Sequence, residues 1–123
     1  MSGPGAVDLI YVDDEPLLCD LFAEHMLLDN LRVLTFTDPR TALAHLNASL
    51  RPCGALFLDF QMGDMDGYAL FDALVHREYP VFLISGHADA QLVKTAAQKG
   101  FAKTYFKPVS YRELLSDLKA FVP

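Results

Sequence analysis

The stretch Ala55-Leu56-Phe57-Leu58-Asp59 places a carboxylate directly after four apolar residues, and it decides how the rest of the sequence is interpreted. The four apolar residues show no polar alternation, which is typical of a strand that is buried on both faces. Strands of that kind occur in parallel sheets that helices cover on both sides. Asp59 is therefore predicted at the carboxyl end of a buried strand, where an ionised group without a partner is costly.

On both sides of this stretch, short apolar runs alternate with longer segments of helical periodicity. The predicted strands are residues 8–12, 31–36, 55–58, 81–84 and 102–106. Strict alternation of strands and helices favours right-handed crossovers and helices on both faces of a parallel sheet. The sequence therefore predicts an α/β fold, a flavodoxin-like, doubly wound (βα)5 sandwich around a five-stranded parallel sheet of order 2-1-3-4-5.

Several details of the helices are also predicted. The third helix runs from residue 67 to about residue 77. Side chains that can cap the second, third and fifth helices are provided by Asp38, Asp66 and Ser110. The apolar stripe of the first helix, with which it would pack on the sheet, consists of Leu17, Leu18, Leu21, Phe22 and Met26.

The composition fits one folded domain and excludes some classes of function. The 123 residues are 52% hydrophobic, and the formal net charge of -6 disfavours direct binding of nucleic acid. The apolar runs are far shorter than the roughly 20 residues that span a bilayer, so we expect no membrane insertion. Two cysteines without a secretory signal pattern indicate a cytoplasmic protein with reduced thiols. We expect residues 1–7 to be a flexible N-terminus and residues 8–123 to form the domain.

The carboxyl ends of the other predicted strands carry polar residues that would meet Asp59 at one edge of the sheet. These residues are Asp13-Asp14, Ser85-Gly86 and Lys107-Pro108. Each group has an ordinary structural explanation when it is taken alone. Acids before a first-turn proline cap a helix, a serine ends a turn, and a lysine is commonly exposed.

Taken together, these residues match what phosphoryl transfer to a carboxylate requires. Three clustered carboxylates repel one another, and a hard divalent cation such as Mg²⁺ relieves that repulsion while it holds a phosphate oxygen. In this interpretation Asp59 is the nucleophile, Asp14 is a direct metal ligand, and Asp13 is a ligand or a base beside it. A hydroxyl, a backbone N–H and an ammonium are then available to the phosphoryl oxygens from Ser85, Gly86 and Lys107.

The chain contains four motifs, which are residues 12–16 (Val-Asp-Asp-Glu-Pro), 59–67 (Asp-Phe-Gln-Met-Gly-Asp-Met-Asp-Gly), 85–89 (Ser-Gly-His-Ala-Asp) and 107–108 (Lys-Pro). In this combination the chain, from Asp8 onward, resembles the response-regulator receiver family of two-component and phosphorelay systems. The resemblance implies a signalling domain and not an enzyme, which assists its own phosphorylation and dephosphorylation. Asp59 would accept a phosphoryl group from a phosphohistidine on a sensor histidine kinase or a histidine phosphotransfer protein. An output partner or fused domain would respond.

The resemblance also implies roles for individual residues. Asp14, Asp59 and the backbone carbonyl of Gln61 would hold Mg²⁺ (or Mn²⁺), with Asp13 assisting. Ser85 would be the switch hydroxyl, and Lys107 would contact the phosphate. The side chains of Gln61 and His87 lie where they can affect attack of water on the phosphate, and we expect them to tune its lifetime.

The sequence departs from the family pattern at two positions. Gly63 stands where the family usually has a proline, which predicts a more mobile loop after Asp59. Thr104 occupies the usual aromatic switch position, three residues before Lys107. Tyr105 is one place later and is expected on the other face of the strand. The resemblance therefore predicts the phosphoryl transfer itself, but not the route by which phosphorylation would change the surface of the domain.

Three alternatives fit parts of the pattern. A haloacid-type phosphatase also uses an aspartate nucleophile with magnesium, but it has a second aspartate two residues later, where this chain has Gln61. A flavin-binding electron carrier of the same architecture has a loop rich in Ser, Thr and Gly after its first strand, and not acids. A degenerate receiver-like interaction domain without phosphorylation is favoured by Thr104 and opposed by the intact acids and Lys107.

Overall fold

The computed structural model of the protein describes residues 7–121. Its strands are β1 (Val7–Val12), β2 (Val33–Phe36), β3 (Cys53–Asp59), β4 (Val81–Ser85) and β5 (Lys103–Phe106). Its helices are α1 (Pro16–Leu27), α2 (Pro39–Asn47), α3 (Gly67–Ala73), α4 (Ala90–Lys99) and α5 (Tyr111–Phe121). Strands and helices alternate as the sequence predicts. The expected flexible N-terminus lies outside the described residues except for Val7, which begins β1, and the domain bounds 8–123 stay a prediction.

All five strands are parallel and lie in the order β2-β1-β3-β4-β5, which confirms the predicted sheet. From β1 the chain passes to β2 at one edge of the sheet. It then returns to β3 on the other side of β1 and continues through β4 to β5 at the opposite edge. The strand order therefore reverses between β1 and β3. In open parallel sheets a ligand crevice forms at such a reversal, outside the carboxyl ends of the strands.

The sheet separates two hydrophobic layers. On one face α1 and α5 cover a cluster that is rich in aromatic side chains and includes Tyr11, Phe22 and Phe57. On the other face α2, α3 and α4 cover a mainly aliphatic cluster. Helices on both faces explain why β3 and β4 are apolar without alternation. No helix within residues 7–121 is long and apolar enough to cross a membrane.

The predicted apolar stripe of α1 was wrong in part. Leu17 and Leu21 are 69% and 40% exposed, whereas the buried residues of the helix are Cys19, Phe22 and Met26. Leucines occupy two neighbouring stripes of this helix, and periodicity alone does not choose between them. The sheet makes the choice, because the Phe22 ring stacks on a β1 tyrosine at a centroid distance of 4.3 Å.

The predicted end of the third helix was also wrong, because α3 ends at Ala73 and not near residue 77. Asn47, the last residue of α2, provides the reason. Its side-chain amide donates to the carbonyl of Ala73 at 3.1 Å, and its amide oxygen accepts from the N–H of Val75 at 3.0 Å. These bonds satisfy backbone groups at the helix end, so the chain continues in an extended conformation at Leu74.

The predicted helix caps are confirmed. The Asp38 and Asp66 carboxylates accept from the backbone N–H groups of Arg40 and Ala69 at 3.0 and 2.8 Å. The Ser110 hydroxyl accepts from the N–H of Glu113 at 3.2 Å. These bonds place the start of each helix, and Asp66 in particular fixes where the chain turns after β3.

Candidate functional site

Three carboxylates meet at the carboxyl edge of the sheet, where the strand order reverses. Asp13 and Asp14 follow β1, and Asp59 is the last residue of the neighbouring strand β3. Each of the three offers a carboxylate oxygen, and these oxygens lie within 4.8 Å of one another. Asp13 is fully buried, Asp59 is 3% exposed, and Asp14 faces solvent. The fold therefore brings together the three acids that the sequence selected.

Lys107, directly after β5, supplies the positive charge of this site. Its Nζ lies 3.0 Å from Asp59 Oδ1 and 3.2 Å from Asp13 Oδ2, so one ammonium bridges two acids. The lysine side chain is 24% exposed. The position predicted from the sequence is thus in contact with both buried carboxylates, and its contacts cross from β5 to β1 and β3.

A tyrosine completes the interior side of the site, and the sequence interpretation missed it. The Tyr11 hydroxyl donates to Asp13 Oδ2 at 2.7 Å. The signal was available, because side chains two residues apart on a strand point to the same face. We call Tyr11, Asp13, Asp14, Asp59 and Lys107 the acid pocket.

The electrostatics of the acid pocket leave negative charge unmatched. Burial, and then the neighbouring Asp13 carboxylate, raise the pKa of Asp59 to about 6 against the opposing effect of Lys107. Burial lowers the pKa of Lys107, but the hydrogen bonds and charges of Asp59 and Asp13 outweigh it and raise the pKa overall. The ammonium therefore stays charged. Burial, and then Asp13, also raise the pKa of the Tyr11 phenol far above its usual range, so its hydroxyl remains a donor.

The residues of the pocket fit a hard divalent cation. When all three carboxylates are ionised, Lys107 balances one of their charges, which leaves two negative charges. Carboxylate oxygens are the ligands that Mg²⁺ and Mn²⁺ prefer, and Mg²⁺ commonly uses one or two carboxylates together with water and phosphate oxygens. The exposed Asp14 gives such an ion access from solvent.

Helix capping explains little of this arrangement. The N-cap residue of α1 is Glu15, and its side chain makes no capping hydrogen bond. Asp13 Oδ1 accepts from the backbone N–H of Glu15 at 3.0 Å, which is the one contribution of the pair to the helix start. Within residues 7–121 the Asp14 carboxylate makes no hydrogen bond or ion pair. The ordinary structural explanation therefore leaves Asp14 without a role.

The predicted residues after β4 lie beside a different set of contacts. Ser85 is 3% exposed, and its hydroxyl both accepts from the N–H of His87 and donates to its carbonyl, each at 3.2 Å. Gly86 has open space where a Cβ would lie, so packing does not require glycine there. The side chains of His87 and Gln61 are exposed. In this structure the Ser85 hydroxyl is thus engaged with its own turn.

Thr104 and Tyr105 point to opposite faces of the sheet, as the sequence predicts. Thr104 pairs in register with Leu83, which belongs to the core under α2, α3 and α4. Tyr105 is buried on the α1 and α5 side, and its hydroxyl donates to Asp117 of α5 at 2.6 Å. Lys103 bridges the same carboxylate and Glu113 at 2.7 and 2.8 Å. We call Lys103, Tyr105, Glu113 and Asp117 the α5 cluster.

Gly67, which the sequence interpretation treated only as the start of a helix, fixes α3 against the site. A Cβ at this position would lie 2.9 Å from the Asp59 carbonyl oxygen and 3.0 Å from Leu83 Cδ1. Its backbone N–H donates to the carbonyl of Phe60 at 2.8 Å. Only glycine allows the helix to begin this close to the end of β3.

The loop between β3 and α3 takes a path that a proline at position 63 does not permit. Gly63 has φ of +74°, whereas proline is held near -65°. The next residue, Asp64, forms a two-pronged ion pair with Arg40 of α2, with distances of 3.0 and 3.2 Å. This exposed ion pair links the loop to α2, and the expected mobility of the loop stays a prediction.

Comparisons with known proteins identify the same pattern. The family model of the response regulator receiver domain matches residues 9–119. The nitrogen assimilation regulatory protein NtrX of Azorhizobium caulinodans is 33% identical over 89% of this chain and 25% of its own length. The response regulator protein TodT of Pseudomonas putida is 29% identical over 91% of this chain and 50% of its own. The chain thus spans half or less of these relatives. The crystal structure of the receiver domain of NtrX from Brucella abortus has a TM-score of 0.81 and 31% identity, covering 92% of this chain and 96% of that chain.

Proposed function

Because the chain belongs to the response regulator receiver domain family, we propose that Asp59 is its phosphoacceptor and that the acid pocket is the site of phosphoryl transfer. The observation that carries the proposal is the contact of one ammonium, that of Lys107, with two buried carboxylates beside a third acid. Receiver domains are signalling domains, and phosphorylation of Asp59 would act as the switch of this one. The haloacid-type phosphatase, the flavin carrier and the degenerate domain receive no support from the comparisons.

The proposed step is the transfer of a phosphoryl group from a phosphohistidine to Asp59. A carboxylate oxygen of Asp59 attacks the phosphorus, the bond between phosphorus and the imidazole nitrogen breaks, and the imidazole leaves with a proton from solvent. The product is an acyl phosphate on Asp59 and a neutral histidine on the donor. Water then attacks the phosphorus, the bond between phosphorus and the Asp59 oxygen breaks, and inorganic phosphate leaves while the carboxylate is restored.

The residues of the pocket would position this step and balance its charge. Bound Mg²⁺ supplies positive charge to the oxygens of the transferring group, and Asp14, Asp59 and the backbone carbonyl of Gln61 would hold it with Asp13 assisting. Lys107 would move its contact from Asp59 Oδ1 to an oxygen of the phosphoryl group. Its short contacts with both buried acids keep the ammonium at the place where negative charge increases.

Phosphorylation would act on the turn after β4. A phosphoryl group on Asp59 adds about -1.5 to -2 charges and strong acceptor oxygens to a crowded edge of the sheet. We propose that the Ser85 hydroxyl then leaves the carbonyl of His87 and donates to a phosphoryl oxygen, with the Gly86 N–H as a second donor. Because Thr104 lacks an aromatic ring, the movement of this turn would itself be the output signal.

The partners follow from the family at the level of class. We propose a sensor histidine kinase or a histidine phosphotransfer protein as the phosphoryl donor, and an output domain or partner protein as the recipient of the signal. NtrX and TodT are longer than this chain. What a longer protein that contains this chain would do is therefore part of the proposal. The buried, free thiols of Cys19 and Cys53 suit the reducing cytoplasm, where we place the domain.

Intact-mass measurement tests the proposed acceptor. The protein is incubated with Mg²⁺ and acetyl phosphate, a small phosphodonor, and compared with the Asp59→Asn variant. We expect one added phosphoryl group on the unsubstituted protein and none on the variant. Addition to both proteins would refute Asp59 as the acceptor, and addition to neither, while Mg²⁺ binds, would favour the degenerate domain.

We also propose that the side chains of Gln61 and His87 affect how long the phosphoryl group stays on Asp59. Both side chains are exposed and follow the acceptor and the switch hydroxyl by two residues. We expect Gln61→Ala and His87→Ala to change the rate of phosphate loss at fixed Mg²⁺, because side chains at these positions of receiver domains can affect attack of water on the phosphate. The decay is followed by intact mass after removal of the phosphodonor, and unchanged decay in both variants would contradict the proposal.

A further inference from the structure

The floor of the acid pocket is formed by a tyrosine to which the proposed function assigns no role. We propose that Tyr11 is a positioning residue, which fixes the Asp13 carboxylate so that Asp14 and Asp59 remain the direct carboxylate ligands of Mg²⁺. The inference deepens the proposed function and rests on it, since it concerns how the same pocket selects its ligands. It depends on hydrogen-bond geometry around one carboxylate.

Both oxygens of Asp13 are already bound by the protein. Oδ1 accepts from the Glu15 N–H at 3.0 Å. Oδ2 accepts from the Tyr11 hydroxyl at 2.7 Å and lies 3.2 Å from Lys107 Nζ. Donors on both oxygens fix the rotation of the carboxylate. Asp13 would then assist a metal by its negative charge, while its own oxygens stay engaged with these donors.

Two side chains contact Asp13 Oδ2, and Tyr11 is the one whose hydrogen bond goes to Asp13 alone. Lys107 also lies 3.0 Å from Asp59 Oδ1, so its charge is divided between two acids. Without the Tyr11 hydroxyl, Asp13 would compete with Asp59 for the lysine and would be free to rotate toward the metal position. The spacing of the three carboxylates would change as a result.

The ring of Tyr11 is held where its hydroxyl has one target. The side chain is 4% exposed and stacks on Phe22 at 4.3 Å with planes 11° apart. The Cys19 thiol, also from α1, donates to the Asp13 carbonyl at 3.3 Å. The backbone and side chain of Asp13 are therefore both tied to the interior. By contrast, the Asp14 carboxylate has no such bond within residues 7–121, and it remains available as a ligand.

The Tyr11→Phe variant tests the proposal because it keeps the stacked ring and removes only the hydroxyl. The matched control is Tyr105→Phe, which removes a hydroxyl bound to Asp117 at 2.6 Å in the α5 cluster. Mg²⁺ affinity is measured by titration calorimetry on each protein, together with unfolding in urea without metal. We expect the Kd for Mg²⁺ to be about tenfold higher in Tyr11→Phe, as is typical when a residue that supports a metal ligand is replaced. We expect no change in Kd for Tyr105→Phe, although both variants lose stability.

A second comparison shows whether the effect passes through Asp13. In an Asp13→Ala background, which has no side-chain acceptor for the Tyr11 hydroxyl, Tyr11→Phe should cause no further change in Kd. An undiminished effect there, an unchanged Kd in Tyr11→Phe alone, or an equal change in Tyr105→Phe would overturn the proposal. If the unsubstituted protein binds Mg²⁺ and accepts phosphate while one of these results is found, only the role of Tyr11 fails. If it does not bind Mg²⁺, the proposed metal site fails as well.

A measurement on the unsubstituted protein covers the case in which Tyr11→Phe does not fold. The ring carbons of the tyrosines are labelled with carbon-13, and their NMR signals are followed during Mg²⁺ titration. The Tyr11 signal should shift in parallel with metal binding while the Tyr105 signal stays in place. A Tyr11 signal that does not respond to saturating Mg²⁺ would overturn the proposal.

Discussion

The acid pocket and the α5 cluster each contain a lysine that bridges two carboxylates and a tyrosine that donates to one of them. In the pocket, Lys107 contacts Asp13 and Asp59, and the tyrosine bond is 2.7 Å long. In the cluster, Lys103 contacts Glu113 and Asp117, and the tyrosine bond is 2.6 Å long. The contacts alone do not distinguish a functional site from a surface ion-pair network.

Access to water and the number of acids make the difference. Counted over the side chain alone, the two bridged acids of the pocket are 0% and 5% exposed, whereas those of the α5 cluster are 55% and 27% exposed. The pocket also has a third acid, Asp14. Accordingly the pKa of Asp59 is raised, first by burial, to about 6, while Lys103 and Tyr105 lower the pKa of Asp117. The same kinds of side chain thus stabilise the fold in the α5 cluster and leave negative charge unmatched in the acid pocket.

The largest difference is expected when the bridging lysines are removed. Lys107→Met leaves two buried carboxylates without their cation, and we expect a loss of about 3 kcal/mol in the free energy of unfolding without metal. Lys103→Met removes two partly exposed ion pairs, which water screens, and should cost about 1 kcal/mol or less. Urea unfolding at neutral pH measures both. Equal losses in the two variants would show that burial does not separate the sites.

A smaller and opposite pair of effects is expected for the carboxylates. Asp59→Asn removes a charge that burial disfavours. The rise of its pKa from 3.8 to about 6 corresponds to roughly 3 kcal/mol, and because solvent screens part of it we expect the substitution to stabilise the metal-free protein at neutral pH by about 2 kcal/mol. Asp117→Asn removes a favourable acceptor and should destabilise by about 1 kcal/mol or less. Unfolding in urea gives both values. Destabilisation by Asp59→Asn would contradict the account.

The pH dependence of these variants has a definite sign. The pKa of Asp59 is about 6 in the folded protein against 3.8 ordinarily, so the folded state binds more protons between these values. Its contribution to stability is therefore complete below about pH 4 and is lost as the pH rises through 6. Metal-free stability of the unsubstituted protein should fall relative to Asp59→Asn across this range. A constant difference between the two proteins from pH 4 to pH 7 would contradict the raised pKa.

The smallest of the effects expected at the acid pocket concerns added metal. At a free Mg²⁺ concentration ten times its Kd, we expect stabilisation of the unsubstituted protein by about 1.4 kcal/mol. The stabilisation should disappear in Asp14→Ala, which removes a proposed ligand, and persist in Glu15→Gln, which changes an exposed neighbour. Thermal unfolding with and without Mg²⁺ measures it. Stabilisation that survives in Asp14→Ala, or is lost in Glu15→Gln, would place the ion elsewhere.

Most of the fold and the acids of the pocket could be predicted because they depend on local pattern. Apolar runs without alternation identify buried parallel strands, and the pair Asp13-Asp14 and Asp59 follow such runs, whereas Lys107 follows the more polar strand β5. Since the carboxyl ends of parallel strands share one edge, position in sequence was enough to bring these residues together. The strand order then placed them at the reversal between β1 and β3.

What could not be predicted depends on contacts between elements. Leu17, which the predicted stripe included, is exposed, and Cys19, which it did not include, is buried, because the sheet selects one of two possible stripes. The end of α3 depends on Asn47, which is distant in the sequence. Tyr11 was missed for another reason: its spacing of two residues from Asp13 was a signal, but a tyrosine inside a strand also fits ordinary core packing, and the structure shows that its hydroxyl binds Asp13.

Chemical identification of the modified residue tests the central claim most directly. Borohydride reduces an aspartyl phosphate to homoserine, so the protein is treated with Mg²⁺ and acetyl phosphate, reduced, digested and sequenced by mass spectrometry. The account predicts homoserine at position 59 and at no residue of the α5 cluster. Homoserine at Asp13, Asp14 or Asp117, or an added phosphoryl group that yields no homoserine, would contradict it.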